Sequence, residues 1–597
     1  MTRSPSEYLE PAFTPAQWRG YSTAVAVWSA LVLWFAFWWF QTGHNIGTGR
    51  FVLVSSGLVW LYFLQAWFLY FFLRACRPRS RSNVVGPYRV AMIVTKTPSE
   101  QFMLLQVTLR AMLAQDMTHD TWLADEDPDP EVISWCRAHG VRISCRKDVA
   151  GYHRQNWPRR KCCKEGNLSY FYDHYGYANY DLVVQMDADH VPQPGYLRAM
   201  LAPFADPGVG YVSAPSICAQ NEDKSWAART RLYAEALFHG GLQAGYSNGW
   251  APMCIGSHYA VRTRALRAVG GLGPELAEDH STTMILNAGG WRGVHASDAI
   301  AIGAGPATFA DMVTQEFQWS RSLTTLLLRY TPRYLGALPA RLKFQFVFCQ
   351  LWYPLFALFM ALMFVMPVAA VLFDMRFVGV TYPQFLAHAV PPVLVLLLIV
   401  AQMRRDGFFR PAGARVISWE RTLFTLAQWP WVLWGCAVAL WDRATGRYVA
   451  FRITPKGGAM VPHLPWRVLM PYGVLSAVSL LPVVFVDDVR EAAGFYLLAL
   501  VNACFYTVLF IAILALHRRE NHIALRLRPW SYGSQAAVAL LLLALGATGF
   551  NLRTVQSVHA LAQGLGSLSL TREVYPVSGA GQAPPGSVYY QFDLRWN

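Results

Sequence analysis

Charge is scarce in this chain. Asp, Glu, Lys and Arg make up 15% of its 597 residues, against 54% hydrophobic residues. With a mean hydropathy of +0.24, that excludes an ordinary soluble protein. Acid is the scarcer sign, 36 residues against 51 Lys and Arg, for a formal net charge of +15. Cysteine is sparse as well. Cys76, Cys136, Cys145, Cys162, Cys163, Cys218 and Cys254 fall in or beside a central polar stretch, Cys349, Cys436 and Cys504 lie in or near apolar runs, and residues 552–597 have none. That distribution fits a reducing compartment with no disulfide framework, and the adjacent Cys162 and Cys163, which lack metal-ligand spacing, read as packing residues. No internal repeat recurs, so the chain is not a repeat array.

Long hydrophobic runs are what the chain has in abundance. Residues 22–41, 51–73, 346–373, 385–403, 467–486, 494–516 and 533–551 are each long and apolar enough to cross a bilayer. The first is too long for a signal-peptide core and no small-residue cleavage site follows it, so it reads as a retained anchor. Arginines cluster at Arg74, Arg77, Arg79 and Arg81, at Arg404, Arg405, Arg410 and Arg415, and at Arg518, Arg519, Arg526 and Arg528; Asp374, Asp487, Asp488 and Glu491 mark the alternate loops. That positive-inside bias explains the basic excess without nucleic acid. It predicts an inner (plasma) membrane protein with a cytosolic central domain and an external C-terminus. Residues 419–441 are also long enough to span, but Glu420, Arg421 and several tryptophans suit a helix lying along the cytosolic face. The expected organisation is two membrane helices in 1–75, a cytosolic domain in 76–343, two membrane helices in 344–403, a cytosolic interface segment in 404–463, three membrane helices in 464–552 and a tail in 553–597.

Within the central stretch strand and helix signals alternate, as a doubly wound α/β sheet requires. Residues 89–95, 121–124, 141–144 and 181–186 read as strands, and 101–115 and 130–139 as helices. The last of these strands delivers Asp187-Ala188-Asp189 at its carboxyl end, where open α/β sheets bind ligands. Two carboxylates there suit a Mg²⁺ or Mn²⁺ ion that also grips a diphosphate.

The order Asp125, Lys164-Glu165-Gly166-Asn167, Asp187-Ala188-Asp189, Glu278-Asp279 and Gln315-Glu316-Phe317-Gln318-Trp319 resembles that of the processive family 2 glycosyltransferases: D, K-x-G-N, D-x-D, [ST]-E-D and Q-x-x-R-W. Phe451-Arg452-Ile453-Thr454-Pro455-Lys456-Gly457 resembles the F-x-V-T-x-K-G gating loop of the cellulose and curdlan-type β-glucan synthases. The resemblance covers about residues 89–458 and implies a GT-A-like nucleotide-sugar-binding domain inserted in a multi-pass α-helical membrane protein.

By that resemblance, Asp125 contacts the uridine of the donor, with Asp127 as an alternative and a turn or helix-cap acid as the bland reading. Lys164, Thr454 and Lys456 reach the donor phosphates, and Asp187 and Asp189 hold the metal. Asp279 stands at the base position, a place that a helix-capping Asp also takes. Glu278, Gln315 and Trp319 serve the acceptor, the tryptophan as the floor under its sugar; a core aromatic is the other reading of Trp319. Gln318 stands where the family has an arginine that helps to hold the diphosphate, and Arg321 is the expected substitute. Ile255-Gly256-Ser257-His258 replaces the acceptor-side F-C-G-T-N pattern, so His258 is expected either beside the growing chain or as a satisfied core histidine. Lys456 could equally greet lipid headgroups.

The implied activity is an inverting, processive hexosyl transfer from a UDP-sugar, UDP-glucose first, to a β-glucan passed across the membrane. The implied partners are the donor, the growing polysaccharide, the bilayer and periplasmic export subunits. The alternatives are a UDP-N-acetylglucosamine-using synthase of the chitin or hyaluronan type, and a single-addition transferase with a lipid-linked acceptor. A transport protein with a degenerate nucleotide fold would show broken carboxylate motifs. They are intact.

Overall fold

The computed structural model describes residues 8–79, 88–97, 100–275, 277–446, 464–523, 529–562, 568–574 and 588–594. The chain forms two compact units. One comprises 1–20, 67–358 and 401–463, the other 21–66, 359–400 and 464–597. The expected gating loop, Thr454 and Lys456 included, lies outside the described residues.

The first unit is built on a seven-stranded sheet: β1 (Val90–Lys96), β2 (Asp120–Asp125), β3 (Arg142–Ser144), β4 (Leu182–Asp187), β5 (Val209–Ser213), β6 (His258–Arg262) and β7 (Arg292–His295). The spatial order is β7-β5-β6-β4-β1-β2-β3. β1 to β4 are mutually parallel, and β6 runs antiparallel between β4 and β5. Central strands of such a sheet are covered on both faces and read as unbroken apolar runs. Ala91, Met92, Ile93 and Val94 are accordingly all fully buried, Met92 and Val94 in one core and Ala91 and Ile93 in the other. The four strands expected from the sequence are present, with ends moved by a residue or so, as are the helices Phe102–Leu113 and Pro130–Ala138.

Register places the chemistry. Thr95 is opposite Asp187 and Lys96 is opposite Asp125, so the acids at the ends of β2 and β4 emerge along one edge. Five helices of this unit carry the remaining groups: α1 (Lys164–Phe171), α2 (Trp226–Leu237), α3 (Glu278–Ala288), α4 (Phe309–Arg329) and α5 (Trp419–Thr445). α4 starts in a capping box of Thr308 and Asp311. α5 starts at Ser418, whose hydroxyl accepts from the Arg421 N–H at 3.1 Å. α4 and α5 pack closely because Gly435 has no side chain; a Cβ there would collide with Ser320 Oγ and the Phe317 carbonyl.

In the second unit Trp39 Nε1 donates to Ser55 Oγ at 2.9 Å and Trp28 Nε1 to Gln65 Oε1 at 3.2 Å. Asp374 accepts backbone N–H bonds from Arg490, Glu491 and Ala492. Strands Leu568–Val574 and Val588–Leu594 pair antiparallel.

Among the described residues, eight helices are long and apolar enough to cross a membrane. Each of the seven expected runs coincides with one such helix, three lying wholly inside it and four overrunning an end by one or two residues, and Trp419–Thr445 is a further one. That last helix packs in the first unit with both of its terminal acids occupied: Glu420 by Arg229 at 3.4 Å, and Asp442 by Arg321.

Candidate active site

The site lies at the carboxyl ends of β1, β2 and β4. Asp187, Asp189 and His190 can each offer a ligand atom, and the three atoms lie within 4.8 Å of one another. Two carboxylates suit Mn²⁺ or Mg²⁺, and an imidazole nitrogen stands beside them. The donor set therefore fits a divalent ion, with His190 added to the two acids expected from the sequence. Asp189 is fully buried and accepts from the Ala304 N–H at 3.3 Å, and His190 Nδ1 is 3.2 Å from Asp189 Oδ1.

Lys164, the first residue of α1, donates to Asp187 Oδ1 at 2.6 Å and also to the Gly256 carbonyl. Burial opposes its charge, but the carboxylates of Asp187, Glu278 and Asp279 outweigh that and hold the ammonium above the ordinary lysine range. The loop before it is braced by Arg146. That fully buried guanidinium donates to the Tyr152 carbonyl at 2.7 Å and the Arg160 carbonyl at 2.8 Å, and pairs with Glu126. Glu165 accepts from the N–H groups of Arg159 and Arg160.

Glu278 and Asp279 open α3. Glu278 is buried; Oε2 accepts from the Tyr259 hydroxyl at 2.8 Å, while Oε1 has no hydrogen-bond partner among the described residues. Burial first, and the Asp279 carboxylate second, raise its pKa. Asp279 is partly exposed and accepts from the His280 N–H at 2.8 Å. Burial also raises its pKa, against the opposing N–H groups of His280 and Gly256 and the Lys164 charge. A side chain at Gly256 would come within 3.3 Å of Asp279 Oδ2. The segment leading to this pair is tied to α4, since the Ala277 N–H donates to Ser322 Oγ at 3.1 Å.

On α4, Gln315 Oε1 accepts from Arg231 Nη1 at 2.6 Å, and the same guanidinium lies 3.7 Å from the centroid of the Trp319 ring. Trp319 is half-buried, and Glu316 is buried and bonded to Gln428 of α5 at 2.6 Å. Burial pushes the Glu316 carboxyl up to about 7.

Three expected residues are held by protein partners. His258 is fully buried, with Nδ1 3.2 Å from the Tyr196 hydroxyl and Nε2 3.1 Å from the Pro215 carbonyl. Both nitrogens are satisfied and burial drives its pKa down; it is the core histidine, and its placement beside an acceptor is corrected. Arg321 is turned toward α5, with Nε 2.8 Å from Asp442 Oδ2. Asp125 is fully buried, held by Lys96 at 2.9 Å and by the Asp127 N–H at 3.0 Å. Asp127 pairs with Lys147 at the surface, at 2.6 Å.

The sequence reasoning missed Arg231, Tyr259, Glu316 and the part of His190. Arg231 and Glu235 stand four residues apart in an Ala-rich helix, which was the available signal for the first.

Residues 182–400 match the family described as Glycosyl transferase family group 2. The chain is 24% identical over 391 residues to the cellulose synthase catalytic subunit (UDP-forming) of Pseudomonas fluorescens SBW25, covering 64% of this chain and 50% of that protein. It is 20% identical over 493 residues to cellulose synthase 1 catalytic subunit (UDP-forming) of Komagataeibacter xylinus, covering 79% and 62%. It therefore spans about half to three-fifths of the length of these relatives. A mannosyltransferase from Pyrobaculum calidifontis, solved with GDP-Man and Mn²⁺, aligns with TM-score 0.40 and 16% identity over 66% of this chain and 98% of that one. Residues 182–400 thus resemble a family group 2 glycosyltransferase domain and lie largely in an α/β unit, eight helices among the described residues are long and apolar enough to cross a membrane, and the chain is similar to the catalytic subunits of bacterial cellulose synthases.

Proposed function

We propose that the protein is an inverting, processive glycosyltransferase of the inner membrane. It polymerises a sugar from a UDP-sugar, UDP-glucose into β-glucan, and passes the chain across the bilayer. The observation that carries the reading is the meeting at one sheet edge of three metal-competent side chains with a lysine and a paired Glu-Asp whose carboxyls are both raised.

The chemistry follows from those groups. Asp187, Asp189 and His190 would hold a divalent ion, which when bound supplies positive charge to the diphosphate. Lys164 adds a fixed positive charge beside it. Asp279 takes the proton of the acceptor hydroxyl as its oxygen bonds to the anomeric carbon; the bond from that carbon to the phosphate oxygen breaks, and UDP leaves with the electron pair. A carboxylate whose pKa is raised is the stronger base for that step. Glu278 is fixed by Tyr259 and turns its other oxygen to an acceptor hydroxyl. Trp319 offers an aromatic face and Gln315 an amide to the acceptor sugar. Thr454 and Lys456 are assigned to the donor phosphates by the family resemblance alone. Asp125 serves the uridine end, from its pairing with Lys96. The catalytic unit faces the cytosol, residues 553–597 lie outside, and export subunits receive the polymer.

The test is to incubate purified protein in lipid with a panel of UDP-sugars and either Mg²⁺ or Mn²⁺, then digest the product with linkage-specific glucanases. A glucanase-sensitive polymer made from UDP-glucose is expected. A polymer from UDP-N-acetylglucosamine alone would transfer the reading to the chitin or hyaluronan type, and a single sugar added to a lipid would remove processivity.

A further inference from the structure

We infer that Arg231 is a positioning residue for the acceptor, clamping Trp319 and Gln315 into one rigid platform so that a sugar meets the indole on the face opposite the guanidinium. The inference rests on the glycosyl-transfer reading of the same site and adds to it a residue on a different helix, α2.

The geometry is that of a built clamp. Arg231 is 5% exposed. Its Cζ lies over the Trp319 ring at 3.7 Å from the centroid, Nη1 donates to Gln315 at 2.6 Å, and Nη2 pairs with Glu235 at 3.1 Å. Glu235 lies 3.5 Å from His239 in turn. A buried guanidinium persists only when its charge and its donors are met, and Glu235 and Glu316 supply the negative charge around it. Stacking of a planar cation on tryptophan is an arginine property that lysine reproduces poorly. The polar links on two further sides separate a clamp from a stand-in. A guanidinium that merely lay where a sugar belongs would have to leave as the chain arrived, and this one could leave only by abandoning Gln315 and Glu235.

The guanidinium reaches the platform from α2. α2 fixes it in place: Ser225 caps the helix by accepting the Ala228 N–H at 3.2 Å, and the neighbouring Arg229 pairs with Glu420 of α5.

The experiment compares wild type, Arg231→Ala, Arg231→Lys, Trp319→Ala and the Arg231→Ala/Trp319→Ala double variant in lipid, reading polymer yield, product length and donor KM. Arg231→Ala is expected to lower yield roughly 3- to 30-fold, the range set by a desolvated cation–π contact, and to shorten the product with donor KM unchanged. In the Trp319→Ala background the same substitution should lower yield by a clearly smaller factor than in wild type, because the ring contact is already gone and only the links to Gln315 and Glu235 remain to be lost. Independent, multiplying effects of the two substitutions would overturn the clamp, and so would faster elongation by Arg231→Ala, the mark of a stand-in. Where Arg231→Ala is not monodisperse, Arg231→Lys carries the test: it keeps the charge but not the planar stack, and wild-type yield from it overturns the proposal. A wild-type protein that releases no UDP from any UDP-sugar refutes the glycosyl-transfer reading itself, an outcome distinct from a clamp that fails in an active enzyme.

Discussion

Gly166→Ala is a one-methyl change whose effect can be worked from the structure. Gly166 sits in the first turn of α1, two residues after Lys164. A Cβ built on it falls inside the 3.0 Å that real Cβ atoms essentially never breach, against the backbone carbonyl of Arg160 and against Nη1 of Arg146. Neither obstacle can swing aside. The carbonyl is main chain, and Arg146 is fully buried with bonds to the Tyr152 and Arg160 carbonyls and to Glu126. Relief needs a shift of about 1 Å at the start of α1, which carries Lys164 away from Asp187, and a misplacement of that size costs on the order of 10²-fold in rate. In kcat/KM that is about 2.7 kcal/mol of transition-state stabilisation. Overpacking adds an expected 1–3 kcal/mol, roughly, of lost stability. UDP release from purified protein in lipid, read beside the melting temperature, measures both. Gly151→Ala is the control, because no atom lies within 4 Å of a Cβ there. Wild-type kcat/KM in Gly166→Ala would refute the placement of Lys164 at the donor.

Asp279→Asn should keep UDP-sugar affinity by calorimetry while UDP release falls about 10²- to 10⁴-fold; near-normal turnover would remove the base assignment. Burial raises the Asp279 pKa, and only the ionised form accepts a proton. The rate should therefore be full above that raised pKa and fall as pH drops through it, with an acid limb above the ordinary Asp value of about 3.9; a limb at the ordinary value contradicts the environment described. Chelation by EDTA should abolish donor binding, and added Mn²⁺ or Mg²⁺ should restore it in wild type but not in Asp189→Ala; restoration in the variant would take Asp189 out of the metal site. Asp442→Ala strands the half-buried Arg321 and should cost roughly 3 kcal/mol of stability, which Arg321→Met in the same chain should largely return; an unchanged melting temperature for Asp442→Ala would make the pair incidental.

The strands and the acids at their ends were legible because local signals determine them. Mostly apolar runs ending in acid give β2 and β4, and Glu278-Asp279 opens a helix where acids are favoured. What escaped depended on contacts distant in sequence. Arg231 meets Trp319 across helices far apart in the chain, and no periodicity marks such a meeting. Arg321 looked available for a diphosphate because Asp442 lies 121 residues away. His258 looked site-facing by motif, yet it starts a strand between β4 and β5, where side chains are covered on both faces. The segment expected as an interface helix carries buried acids because arginines of α2 and α4 answer them, a compensation no local window contains.

α5 is pinned at Glu420 to α2, and at Gln428 and Asp442 to α4. The outer two of these rungs are 22 residues apart, about 33 Å of helix. A rod riveted at three heights cannot slide along its neighbours without breaking all the rivets together. Gln315 and Trp319 ride on α4 and Arg231 on α2, so on the proposed reading the groups that would hold the polymer end share one chassis with α5. A stroke that advanced such a product would come from the product slipping over that chassis, or from the chassis moving whole, and not from one of its rods sliding past the others.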